Sequence, residues 1–123
     1  MSLADKFNLL NEFNILRILC GLFYIPHIYG KFFVPAALQS FEEAGFRPAA
    51  AWMYFAAALE CAMVVGLVFG IYTSYVASLS AIHLTIAAIV RYKVSGGQWL
   101  WHIGGAEYPV FWAICCVVVA MHG

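Results

Sequence analysis

An apolar run at residues 15–33 carries a polar stripe, and the two properties together leave few folds open. A run of ~20 apolar residues at ~1.5 Å rise per residue spans the ~30 Å hydrocarbon core of a bilayer. Within it, Arg17, Cys20, Tyr24, His27 and Lys31 recur at alternating steps of three and four. That spacing puts all five on one face of a helix. Ionisable groups in hydrocarbon are costly, so the stripe must turn toward protein or water. The remaining helices are then the wall that it faces.

The composition agrees. Of 123 residues, 65% are hydrophobic and only 10% charged, too little polar surface to cover a soluble globule. Lipid is therefore the expected outer solvent, and the expected class is an all-α, polytopic membrane protein in a single domain, residues 1–123. Six basic and six acidic residues balance, so no nucleic-acid footprint is present. The amino terminus does not read as a cleaved signal peptide, because Asp5, Glu12 and Arg17 surround the start of a run too long for one. Cys20, Cys61, Cys115 and Cys116 fall in apolar segments without a CxxC pair and read as small buried hydrophobes.

Taken in order, residues 1–13 form an amphipathic lead-in. Helix one follows, with Pro26 as a kink beside His27. Residues 35–49 hold a short interfacial helix carrying Glu42 and Glu43, closed by Gly45 and Arg47-Pro48. Helix two covers residues 49–70, with Glu60 near its centre and Gly66 and Gly70 as a GxxxG. Helix three covers 74–92 with His83 near its centre, and helix four covers 104–121 with Glu107 in its first turn. Trp99, Trp101 and His102 read as interfacial anchors. The sum is a four-transmembrane-helix bundle with both termini on one side.

Depth then groups the polar residues. His27, Glu60 and His83 each lie within three residues of a helix centre, which puts them within about 5 Å of the midplane. Together with Tyr24 they read as a buried site, either a proton relay or the hydrogen-bonding floor of a quinone-sized pocket. Quinone carbonyls accept hydrogen bonds and need protons on reduction, and histidine beside a carboxylate supplies both. The bland alternative is that Glu60 fastens the bundle and His83 is a satisfied core histidine. Lys31 and Glu107 lie at matching depth and read as an ion pair tying helix one to helix four. Arg17 reads as snorkelling to the headgroups. A bis-histidine haem on His27 and His83 ranks lower, and no metal site is expected because no HxxxH or ExxH spacing occurs.

The order RILCGLFYIPHIYGK at residues 17–31 resembles the first-helix signature of the DoxX family. The likeness continues through Phe41 to Phe46, Ala58-Leu59-Glu60, and Gly104-Gly105-Ala106-Glu107-Tyr108-Pro109. What it implies is a small four-helix protein of a bacterial-type inner membrane. Some relatives are described as membrane subunits of quinone-linked sulfur oxidation or as partners in oxidative-stress assemblies. On matching positions it carries over Arg17, His27, Lys31, Glu60, Glu107 and Tyr108. The turn at residues 72–75 departs from the pattern by lacking a frequent arginine, and a basic tail is absent. Family habit puts both termini in the cytoplasm. The basic residues lean the other way, with Lys6 and Arg17 on the terminal face against Lys31, Arg47, Arg91 and Lys93 on the other.

The leading expectation is a small membrane subunit of a larger, quinone-linked redox assembly, with its polar site around Glu60. As an enzyme it would be at most such a subunit, since no electron-transfer cofactor site is visible in the chain. The alternative is a non-catalytic accessory subunit, packing on a hetero-complex or a second copy through small-residue faces such as Ala77/Ala81 and Gly66/Gly70. A small transporter ranks last, for want of an inverted repeat.

Overall fold

A computed structural model describes residues 3–33, 35–100 and 105–122. Among them every regular element is helical: α1 (Leu3–Lys6), α2 (Glu12–Leu22), α3 (Tyr24–Phe33), α4 (Pro35–Glu43), α5 (Ala49–Phe69), α6 (Thr73–Val94) and α7 (Glu107–His122). Trp101, His102 and Gly104 lie outside the described residues.

The first apolar run is two helices, not one. Asn11 opens α2 by accepting from the Phe13 amide through its side chain at 3.0 Å, which satisfies one of the orphan donors of a helix start. The helix stops at Leu22, four residues before Pro26. Proline has no N–H to offer the carbonyl four residues back, and its ring crowds that carbonyl. The break thus falls a turn before the proline. The short helix expected between helices one and two is α4.

Packing closes a ring: α2 lies against α5, α5 against α6, α6 against α7, and α7 against α2. Past the break, α3 packs mainly on α5 and α4. The ring encloses Tyr24, Met63, Leu67, Ala81, Trp112 and Cys116. Gly70, at φ 68°, ends α5 in the left-handed conformation that glycine enters without steric cost, and α6 begins at Thr73. The link makes α5 and α6 antiparallel neighbours. At the other end of the chain, Phe13 stacks on His122 with centroids 3.7 Å apart, bringing the start of α2 against the end of α7.

Two of the helices, α5 and α6, are long and apolar enough to cross a membrane. Large apolar side chains of both lie exposed away from the core: Val65 is 50% exposed and Tyr75 80%. A buried core helix of a soluble protein would hide such residues. The expectation of four spans narrows here to two, because the first run is split and α7 has only 16 residues.

The expected snorkelling of Arg17 is overturned. Arg17 is 2% exposed, and its guanidinium donates to the carbonyls of Leu67, Val68 and Lys6. The last carbonyls of a helix lack partners within it and carry partial negative charge. Arg17 supplies donors to two of them, and Lys6 Nζ donates to Gly70 O at 3.0 Å. The lead-in is therefore folded over the end of α5. Asn14 holds it there through the carbonyls of Asp5 and Asn8.

The small-residue faces are spent inside the chain. Ala77 and Ala81 are buried in the core, and Gly66 lies directly on Val76 of α6. They offer no free surface to a partner.

Candidate functional site

Where α3 leaves the ring, a cavity of about 420 Å³ opens among α3, α4, α5, α6 and the start of α7. Each helix contributes through its own periodicity. Trp52, Phe55, Ala56, Leu59 and Glu60 form one stripe of α5; His83, Ala87 and Arg91 form one of α6. Each stripe runs eight residue steps, from Trp52 to Glu60 and from Arg91 to His83, or about 12 Å of helix. The helices are antiparallel, so Glu60 meets His83 at one end, while Trp52 and Arg91 both line the cavity toward the other. Phe41 of α4 and the following Phe46 cover the latter end.

The floor is a buried carboxylate held from two sides. Lys31 Nζ lies 2.7 Å from Glu60 Oε1, and His83 Nε2 donates to Oε2 at 3.1 Å. The Glu60 side chain is 5% exposed. Lys31 meets Oε1 as an ion pair outside hydrogen-bonding alignment, so that oxygen accepts no hydrogen bond. A buried charge that keeps one partner short of full satisfaction is costly, and such residues in apolar helices are functional candidates by default.

Above the floor stand rings. His27 is stacked on Tyr108 with centroids 5.7 Å apart and planes 15° from parallel, and it lies 5.3 Å from Trp112. His27, Tyr108 and Trp112 all line the cavity.

Depth arithmetic thus brings Glu60 to His83 and sets His27 across the same space. It fails for the ion pair. Lys31 pairs with Glu60, and the partner expected for it, Glu107, is corrected to that residue. A flexible four-carbon stem carries the Lys31 ammonium about a turn of helix toward the midplane. Tyr24 also departs from expectation. It is fully buried, and its hydroxyl shares a hydrogen bond with Ser80 Oγ, which in turn accepts from Cys116 Sγ at 3.6 Å. Tyr24 stands behind the floor, its ring 6.2 Å from that of His83, and is absent from the described lining.

Arg91, Trp112 and Ser80 were not anticipated. Arg91 reads in the sequence as a helix-ending charge, and Trp112 as one more apolar residue of helix four. A step count of eight from His83 would have placed Arg91 on the same face.

The DoxX family model matches residues 13–93. The chain belongs to the DoxX family. The matched residues run from α2 to the last turn of α6 and include His27, Lys31, Glu60, His83 and Arg91. Glu107, Tyr108 and Trp112 lie beyond them. No curated protein and no solved structure matches the chain. Family and apolar helices together make this DoxX chain a small membrane protein in contact with the lipid bilayer.

Proposed function

We propose that this DoxX chain is the quinone-binding membrane subunit of a larger redox assembly, with the headgroup received in the cavity above Glu60. The observation that carries this reading is where the cavity opens. Phe55, Ile82 and Ile86 line it and are 60%, 58% and 52% exposed, so the cavity is open at an apolar edge. A ligand dissolved in the bilayer can therefore enter between α5 and α6 without crossing water.

The residues fit a quinone. The cavity volume falls in the roughly 300–1,000 Å³ range of small-molecule sites, with apolar and aromatic walls and a few convergent polar groups. His27 and Tyr108 would hold the headgroup by stacking and hydrogen bonding, and the isoprenoid tail would leave past Ile82 and Ile86. Bound quinone supplies two-electron redox chemistry coupled to protons. Within the chain, Glu60 holds the orientation of His83, and His83 keeps a proton on the Nε2 that faces the carboxylate. Lys31 supplies the opposite charge to that carboxylate beside the apolar walls.

This reading includes four membrane passages, with α2 and α3 together as the first and α7 as the last. The Phe13–His122 stack supports a shared side for both termini. The membrane is a bacterial-type inner membrane, and the electron-transfer cofactors belong to partner subunits. Extraction from native membranes in mild detergent, followed by mass spectrometry of everything retained, tests it. Stoichiometric quinone together with redox proteins is the expected result. A larger complex with no quinone on this subunit would reduce the chain to an accessory piece.

A further inference from the structure

The hydrogen-bonding balance of the cavity narrows its ligand beyond shape. Among the described lining residues Glu60 is the carboxylate, and Lys31 and His83 already engage it. Arg91 lines the same space from the last turn of α6, and no carboxylate of the described residues lies within ion-pairing distance of it. Among the described lining residues, two basic side chains, Lys31 and Arg91, thus stand with one carboxylate. A guanidinium beside apolar walls, without a protein carboxylate, favours an oxyanion that can take its planar fork. Arg91 sits about 12 Å along α6 from His83, so the cavity has an engaged polar floor and a cationic rim. Tyr108, also on the lining, carries a phenolic hydroxyl that can add a second donor.

We propose that the cavity takes an anionic amphiphile: an ionised acidic oxygen headgroup on the Arg91 guanidinium, and an apolar chain against Trp52, Phe55 and Ile86. The proposal rests on the lateral entry argued above, but it commits to a charge that a neutral quinone lacks.

The test uses the whole chain in phosphatidylcholine nanodiscs, titrated with dodecanoate, methyl dodecanoate or a decyl-tailed benzoquinone. Tryptophan fluorescence reports binding, because Trp52 and Trp112 line the cavity. Dodecanoate is expected to bind at least about tenfold more tightly than its ester, the worth of one charge-assisted hydrogen bond. Arg91→Gln should erase that preference, and Arg91→Lys should keep part of it. Equal affinity for acid and ester, or a preference that survives Arg91→Gln, overturns the proposal. Phosphatidylglycerol doped into the nanodiscs separates the sources: competition with dodecanoate assigns the anion to a lipid phosphate, and lack of competition to a free acid. The benzoquinone arm separates the two readings of the cavity. Acid binding without quinone binding defeats the redox subunit and leaves this proposal standing; quinone binding without acid preference does the reverse.

Discussion

Lys31 Nζ stands 2.7 Å from Glu60 Oε1, and this ion pair joins α3 to α5 across the cavity floor. Both side chains are largely removed from solvent, at 13% and 5% exposure. Removing one partner of such a pair leaves an uncompensated buried charge, which costs far more than removing both. Lys31→Met and Glu60→Gln should each lower stability by about 3 kcal/mol. The double variant should lose about 2 kcal/mol less than the sum of the single losses. Unfolding titrations of all four proteins in one detergent check this. Additive losses would mean the two groups are not coupled.

The second prediction concerns the end of α5. Arg17 donates to Leu67 and Val68 and to the Lys6 carbonyl, a three-way fork that a lysine cannot reproduce. Arg17→Lys should therefore be nearly as damaging as Arg17→Gln, each costing about 2–3 kcal/mol, the range for hydrogen bonds to charged groups. Thermal unfolding distinguishes this from a snorkelling arginine, for which lysine would be an adequate replacement.

Two glycines should respond in opposite directions. A Cβ at Gly66 would stand 2.9 Å from both γ-carbons of Val76, so Gly66→Ala overpacks the α5–α6 contact and should cost about 1–3 kcal/mol. A Cβ at Gly30 meets nothing within 4 Å. Within α3, Gly30→Ala should stabilise by up to about 1 kcal/mol through helix propensity alone. Paired melting curves in the same detergent suffice, and the same sign for both would contradict the packing described.

Part of this site was legible in the sequence, and the reason is geometric. Steps of three and four along helix one put Arg17, Cys20 and Tyr24 inward, and all three are buried. Helix-centre arithmetic joined Glu60 to His83, because both residues lie in long unbroken helices where depth is proportional to residue number. The same arithmetic misassigned the partner of Lys31. That residue lies beyond the break before Pro26 and at the tip of a long stem, so its charge is not at the depth of its Cα. Arg17 was misread for a related reason. Periodicity gives a side chain's direction but does not reveal that the lead-in and the end of α5 converge there with unpaired carbonyls. Apolarity cannot register a helix break inside an apolar run, and the kink expected at Pro26 is instead a break that ends α2 at Leu22.

The most direct measurement for the cavity as a quinone site is photoaffinity labelling in native membranes with an azido-quinone bearing a short tail, followed by peptide mapping. The account predicts adducts on the cavity stripes of α5 and α6, between Trp52 and Glu60 and between His83 and Arg91, with loss of labelling in Glu60→Gln. Adducts spread instead over outward residues such as Phe111 and Ile114, unchanged by Glu60→Gln, would contradict it.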